Sequence, residues 1–311
     1  MAVRTARAFS PAGISSFFEI CDTTPDGKPM RDLERVGSRG GGFVIDQGVL
    51  TEVSLTESKK SFIQVFINNK PMPSAETTRT VANMLLEKVH KHYEVIIRHR
   101  VDVPIGAGYG SSAAGALSAV LALGRAMATN LTAFQAGKIA HAAEVKCQTG
   151  LGTVGPVALG GCVVTVEPGA PGYAVIDRIP TMAEHRIVTG YYKPILTKKM
   201  LMTAAIRKKV NKNGRETVDK ILADPSLENF MRASREFAKK AGFATPLTEK
   251  LVGLAEKAGA IGATQNMVGE AVHALTTVHN AQRIVEVFKR VLPSNNVLTA
   301  RIDAQGARLM G

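Results

Sequence analysis

The 311-residue chain has no tryptophan, and aromatic residues make up only 5% of it. Its basic residues are not interleaved with aromatics, which argues against a protein that grips nucleic acid by stacking bases on exposed rings. Cysteine is almost as scarce. Cys21, Cys147 and Cys162 form no CxxC pair, so no disulfide framework or thiolate zinc site is expected, and a reducing cytoplasmic compartment is the natural one. Acidic residues are in deficit, with 26 Asp plus Glu against 39 Lys plus Arg and a formal net charge of +13. Such a balance suits anionic ligands. The segment Met1 to Arg7 lacks the apolar core of a secretory signal. Two charge-free runs, Val103 to Gly124 and Cys147 to Val166, have the length of a membrane span. Each holds a proline and repeated glycines, so each reads as a glycine loop joined to a buried element, and no membrane segment is expected.

What the chain does have is a mixed order of strands and helices with no internal repeat. Strands are predicted at Val3 to Phe9, Phe43 to Thr56 and Ser61 to Ile67, where Ile63, Val65 and Ile67 alternate as on a half-buried strand. Turn-rich stretches at Thr23 to Gly27 and Gly37 to Gly42 separate the first two. Helical spacing covers Ala75 to His92, Ser111 to Ala128 and Thr132 to Cys147, and a strand follows at Cys162 to Glu167. Beyond the cluster Pro168 to Gly172, a boundary signal, come helices around Lys198 to Ala223, Leu227 to Ala241, Pro246 to Ala258 and Ala281 to Leu292, and a closing strand at Val297 to Asp303. This order predicts an α+β fold of two domains, residues 1–170 and 171–311. The basic run Lys198, Lys199, Arg207, Lys208, Lys209, Lys212 and Arg215 reads as a solvated helix face that also attracts phosphate.

The chemistry concentrates between Pro104 and Ala114, Pro-Ile-Gly-Ala-Gly-Tyr-Gly-Ser-Ser-Ala-Ala, which follows a strand-like run and opens into a helix. Gly106, Gly108 and Gly110 let backbone approach an anion closely. The first N–H groups of a helix have no internal partner and favour negative charge. Ser111 and Ser112 add hydroxyls able to bond phosphate oxygen or magnesium. A Walker A loop requires a lysine after the last glycine, and none follows Gly110. A dinucleotide fingerprint fails on the glycine spacing and on the missing carboxylate between Arg125 and Thr132. A helix start used only for close packing would need neither the proline nor the paired serines.

Four further features agree. His141 and Glu144 lie three apart on a predicted helix, so they share a face, and a glutamate aimed at a nucleotide is a natural magnesium ligand beside a loop serine; an exposed helix pair is the plainer alternative. In Gly37 to Gly42, Ser38 is a donor and Arg39 a fork for a carboxylate, or the stretch is simply a flexible hairpin loop. The segment Phe9 to Glu19 carries a proline turn after a strand. The segment Gly262 to Glu270 is a second glycine-marked loop far along the chain.

With Pro before and Ser-Ser-Ala-Ala after, the loop at 104–114 resembles motif 2 of the GHMP kinases, which include galactokinase, homoserine kinase and mevalonate kinase. Phe9 to Glu19 resembles motif 1, and Gly262 to Glu270 resembles a glycine-poor motif 3. Together with Ala140-His-Ala-Ala-Glu144, Thr149-Gly-Leu-Gly152 and Gln265 to His273, the pattern is similar, over nearly the whole chain, to the archaeal pantoate kinase family. The resemblance implies a two-domain GHMP fold, with an N-terminal domain shaped like a ribosomal protein domain and a ferredoxin-like C-terminal domain, and nucleotide in the cleft between them. It implies ATP and Mg2+ as cofactors and a small hydroxy acid as substrate, phosphorylated at the 4-hydroxyl of pantoate on the way to coenzyme A. Pro104, Gly106, Gly108, Tyr109, Gly110, Ser111, Ser112 and Ala113 would bind ATP; Ser112 and Glu144 would hold magnesium; Ser38, Arg39, His141 and Thr165 would meet the acid. Many relatives form homodimers.

Two positions depart from that pattern. Thr153 stands directly after Gly-Leu-Gly, where pantoate kinases place an aspartate as base, and Thr165 stands where an arginine commonly faces the substrate carboxylate. Phosphoryl transfer depends mainly on positioning and charge neutralisation, so the first change is survivable. The second leaves open another hydroxy acid, such as mevalonate 3-phosphate. Outside enzymes, a catalytically silent nucleotide binder and an RNA-associated protein remain as alternatives, the latter to be marked by steep salt dependence.

Overall fold

A computed structural model of the chain describes residues 2–89, 91–193 and 203–311. Its larger sheet is built on two long antiparallel strands, β1 (Arg4–Cys21) and β2 (Gly37–Glu57), joined by β3 (Phe62–Ile67), β4 (Lys70–Pro71) and β5 (Tyr93–Val101) in the order β1-β2-β5-β3-β4. The first half of β2 pairs with β6 (Cys162–Glu167), which pairs with β7 (Val175–Ile179), and a short β12 (Arg308–Met310) lies along the outer edge of β1. The boundary expected at 170/171 thus falls between two paired strands of one sheet.

Two stretches read as loops are strand. Gly37 to Gly42 belongs to β2 and pairs on both sides, Gly41 with Phe17 and with Val164. Phe9 to Glu19 belongs to β1, and the strand passes Pro11 with a register shift between Pro11 and Ala12 instead of ending in a turn. Proline is tolerated at such an irregularity because the ladder is already interrupted there. Strands β7 and β8 (His185–Tyr191) went unread, since neither carries a long alternating apolar pattern.

One face of the sheet is covered by α1 (Glu76–Leu86), α2 (Ser111–Ala126) and α3 (Ala133–Cys147), with the short α4 (Val154–Leu159) beside them. Helix α1 ends earlier than its sequence pattern suggests. Twelve of the sixteen residues of α2 are buried, most of them alanine, glycine or leucine. Small side chains let α2 lie close against β1 and β2, which explains the first charge-free run. No helix of the described residues is long and apolar enough to cross a membrane.

The second sheet has the order β11-β8-β10-β9, from β9 (Gly262–Gln265), β10 (Ala271–Thr277) and β11 (Val297–Arg301). It packs with α7 (Pro246–Lys257) and α8 (Val278–Lys289), while α5 (Ala204–Ala223) and α6 (Leu227–Ala241) lie against β1. Lys198 and Lys199, placed in the basic helical run, lie outside the described residues. Phe17, Phe43, Phe230 and Phe237 meet edge to face, with Phe43 and Phe230 centroids 5.2 Å apart. Each such pair contributes about 0.5–1.5 kcal/mol beyond area burial. They fasten α6 to the strands that carry the site.

Candidate active site

Residues 104–110 form the turn from β5 into α2. Gly106, Gly108 and Gly110 all have positive φ, at 77°, 80° and 59°. Gly110 is the N-cap of α2 in the left-handed conformation, and it offers no side chain to the helix. Helices α3, α6 and α7 make an informative contrast. Thr132, Ser226 and Thr245 cap α3, α6 and α7 with side-chain oxygens, whereas the start of α2 has neither a side-chain cap nor an acidic residue in its first turn. Its leading N–H groups remain for a ligand, and the helix dipole favours an anion there.

Three other segments converge on this loop. From β1, the Gly13 N–H donates to the Tyr109 carbonyl at 3.2 Å. From the N-cap of α4, the Thr153 methyl packs against Gly13 and Gly110, where a Cβ on Gly110 would come within 2.6 Å of it. From the segment between β9 and β10, Asn266 backs onto Gly108. The motif-like segments at 9–19, 104–114, 149–153 and 262–270, far apart in sequence, therefore share one place.

Glu144 is buried on α3. Burial raises its pKa, and the hydroxyls of Ser112 and Thr149 pull the other way by bonding its charged form. The Thr149 hydroxyl donates to Oε1 at 2.9 Å and itself lies 3.0 Å from Thr77 Oγ1. Ser112 and Glu144 are thus neighbours beside the open start of α2. No cluster of three His, Cys, Asp or Glu side chains occurs among the described residues. A cation here would have one carboxylate and hydroxyl oxygens, with the rest of its shell left to phosphate and water. Magnesium takes that kind of donor set, hard oxygens from one or two carboxylates plus substrate phosphates.

Next to Gly13 and Thr153 opens a pocket of about 410 Å³, its mouth included, walled by Ile14, Phe43, Ser38 and Thr165 among others. Ser38 sits so close to Gly152 that any side chain there would overlap its hydroxyl. Among the described residues, none that lines this pocket is ionisable at neutral pH. His141 is buried at the back of Ser38's strand and does not line the pocket; its Nε2 donates to the Val36 carbonyl at 2.8 Å, and burial lowers its pKa. Arg39 is not brought together with Ser38 either. Adjacent residues on a strand face opposite ways, and Arg39 bonds the Val166 carbonyl at 2.7 Å and Glu19 at 3.1 Å. The carboxylate its fork grips is the protein's own, shared with Arg215 at 2.7 Å. Tyr109 contributes only backbone to the loop, because its buried ring points toward Thr189.

Sequence reasoning missed Thr149, which bonds the Glu144 carboxylate, Thr77, which bonds Thr149, and the buried set Ser16, His273 and Asn266 behind the loop. Thr149 was visible as the first residue of a glycine passage; Ser16, Asn266 and His273 lie inside the segments that carry the resemblance, but nothing local distinguished them from their neighbours, and nothing marked Thr77.

Comparison with known proteins agrees with this geometry. Residues 76–161 match the family described as GHMP kinases N terminal domain. The pantoate kinase of Methanocaldococcus jannaschii is 29% identical over 288 residues, covering 92% of this chain and 98% of that one. The pantoate kinase of Thermococcus kodakarensis is 30% identical over 287 residues, covering 91% of each. A solved structure described as a phosphotransferase related to the CoA biosynthesis pathway superposes with a TM-score of 0.85 at 27% identity, covering 98% of both chains. With its phosphate loop, its two sheets and relatives at this level over nearly its full length, the chain belongs to the GHMP kinases, within the pantoate kinase family.

Proposed function

We propose that the protein transfers the γ-phosphoryl group of ATP to the 4-hydroxyl of pantoate, a step toward coenzyme A. The observation that carries this reading is the joining of two sites at Gly13 and Thr153: an open helix start with Ser112 and Glu144 on one side, and an uncharged pocket with Ser38 and Thr165 on the other.

In this reading the N–H groups at Ser111, Ser112 and Ala113 bind phosphate oxygens. Ser112 and Glu144 would hold Mg2+, which supplies charge neutralisation on the phosphates when bound. Pantoate sits with its two methyl groups toward Ile14 and Phe43 and its carboxylate toward the hydroxyls of Ser38 and Thr165. The Thr153 hydroxyl helps align the attacking oxygen. That oxygen forms its bond to γ-phosphorus as the bond to ADP breaks, and the proton passes to phosphate or water, since no side-chain base lines the pocket among the described residues. Positioning and charge neutralisation supply most of the catalysis in such transfers. A phosphorylated acid would bring additional negative charge into a pocket lined by no cation among the described residues, which favours pantoate over mevalonate 3-phosphate.

The test is ADP release from Mg–ATP with pantoate, mevalonate, mevalonate 3-phosphate and homoserine in turn. Pantoate should give the highest kcat/KM. No turnover of pantoate, with turnover of a phosphorylated acid, overturns the proposal.

A further inference from the structure

Behind the phosphate loop lies a chain of buried polar side chains that the proposed reaction does not use. Ser16 on β1, Asn266 after β9 and His273 on β10 are all fully enclosed. Ser16 Oγ is 2.8 Å from His273 Nε2, and His273 Nδ1 is 2.9 Å from Asn266 Oδ1. Burial pushes the His273 pKa down to about 3, so the ring is neutral and carries one N–H. An amide oxygen can only accept, which puts that proton on Nδ1 and leaves Nε2 to accept from the Ser16 hydroxyl. With the Asn266 amide oxygen on His273, its NH2 faces away.

That NH2 is buried and forms no hydrogen bond of normal geometry. An unsatisfied buried polar group costs about 1–3 kcal/mol, so its presence calls for a reason. The neighbour on that side is the phosphate loop. A Cβ on Gly108 would lie 2.9 Å from Asn266 Cβ, and the Tyr109 hydroxyl is the acceptor toward which the amide is directed. Tyr109 Oη is 2.7 Å from Thr189 Oγ1, which donates to the Val272 carbonyl at 2.8 Å. Because the Thr189 proton is committed to Val272, Tyr109 donates to Thr189 and keeps a lone pair for Asn266.

We propose that Asn266, oriented by His273 and Ser16, is a positioning residue that sets the height of the phosphate loop, its NH2 closing a hydrogen bond onto the Tyr109 hydroxyl when nucleotide phosphate draws the loop in. The role rests on the kinase reading and extends it to side chains that touch neither ATP nor the acid. It ties the loop to the second sheet through Tyr109 and to β1 through Ser16.

The experiment is steady-state kinetics with pantoate and ATP varied separately, alongside thermal melts. Asn266→Ala should raise KM for ATP by about tenfold while KM for pantoate stays within about twofold, as expected for a small misplacement of one binding element. His273→Leu should do the same. His273→Asn, whose amide can still donate to the Asn266 oxygen, should recover most of that loss even though the core cavity lowers Tm. Tyr109→Phe removes only the hydroxyl and reads the same effect if Asn266→Ala fails to fold. Unchanged KM for ATP in the folded variants, or His273→Asn as impaired as His273→Leu, overturns the role. Failure of the wild-type protein to turn over pantoate and ATP would remove the kinase reading, and this role with it.

Discussion

Thr149 donates its hydroxyl to the Glu144 carboxylate at 2.9 Å, from the first residue beyond the left-handed turn that ends α3. This bond, with the one from the Ser112 hydroxyl, aims the buried acid of the site. Supporting contacts of this kind are typically worth 10–100-fold in metal affinity or activity. Thr149→Val should raise the magnesium concentration needed for half-maximal activity by about tenfold. An unchanged magnesium titration would detach Thr149 from the site.

Glu144→Gln should lower kcat on the order of 10²-fold or more, yet raise Tm at pH 8. Burial holds the folded-state pKa of Glu144 above its unfolded value. For a carboxyl shifted this way, stability is greatest below the unfolded pKa and is lost as pH rises through the folded one. At pH 8 the ionised carboxylate therefore destabilises the apo protein, and the glutamine variant should melt higher. The gap should narrow toward pH 4.5. A variant that melts lower at pH 8 would contradict the sign.

Gly110→Ala should weaken ATP binding with little loss of pantoate affinity. A left-handed φ costs a non-glycine residue about 1–2 kcal/mol. The new methyl would also meet the Thr153 side chain and the Gly13 carbonyl. KM for ATP should rise about tenfold, on the scale of a displaced binding element. Circular dichroism should show an intact fold, and a normal KM would mean that the loop relaxes without consequence.

Thr153 packs its methyl on Gly13 and Gly110 and lines the acid pocket. Thr153→Val keeps that shape and loses the hydroxyl, so kcat should fall about tenfold with KM for ATP unchanged, a modest share of what one transition-state donor can supply. Thr153→Asp would add a base where the pocket has none, and turnover of pantoate should be kept or raised. Loss of all activity in the aspartate variant would show that a carboxylate cannot be accommodated there.

Stability should fall on acidification through buried histidines, His99 and His273 foremost, with His141 acting in the same direction. His99 is held between Thr51 and Thr78, at 2.7 and 3.0 Å, and burial pushes its pKa down to about 4. His273 is lower still, at about 3. Each group binds a proton more readily when unfolded, so their contribution is complete above pH 6.5 and declines as pH falls toward the folded values. The slope is up to about 1.4 kcal/mol per pH unit for each histidine. Urea midpoints at pH 7 and pH 5 check this, and His99→Gln should flatten the difference.

The reaction class was legible in the sequence because a phosphate loop is local: the strand, the three glycines, the serines and the helix that follows are contiguous, and each acts through its own backbone. Glu144 was legible for a similar reason, since a glutamate one turn before a glycine passage points where the helix ends. Arg39 was misleading. Its partner Glu19 lies across a strand pair, and nothing in Gly37 to Gly42 indicates that the stretch is a doubly paired strand whose alternate residues face away from the pocket. The glycines suggested a loop because conformational freedom and close sheet packing call for the same residue type. Ser16 was illegible because its partner His273 lies 257 residues away, and the short-range pair His273 and Asn266 takes its meaning from the strands that enclose it.

The pairing of β12 with β1 has a consequence for how the molecule is made. Arg7 lies beside Met310, so the stretch Arg7 to Phe9 on the outer edge of the first long strand is covered by a segment synthesised some three hundred residues later. At translation rates of roughly 5–20 residues per second, that edge stays bare for on the order of tens of seconds. An uncovered strand edge is a template for pairing with another chain. The nascent protein therefore passes through a window in which its larger sheet is nearly built yet adhesive, and the window closes only when Arg308 to Met310 leave the ribosome.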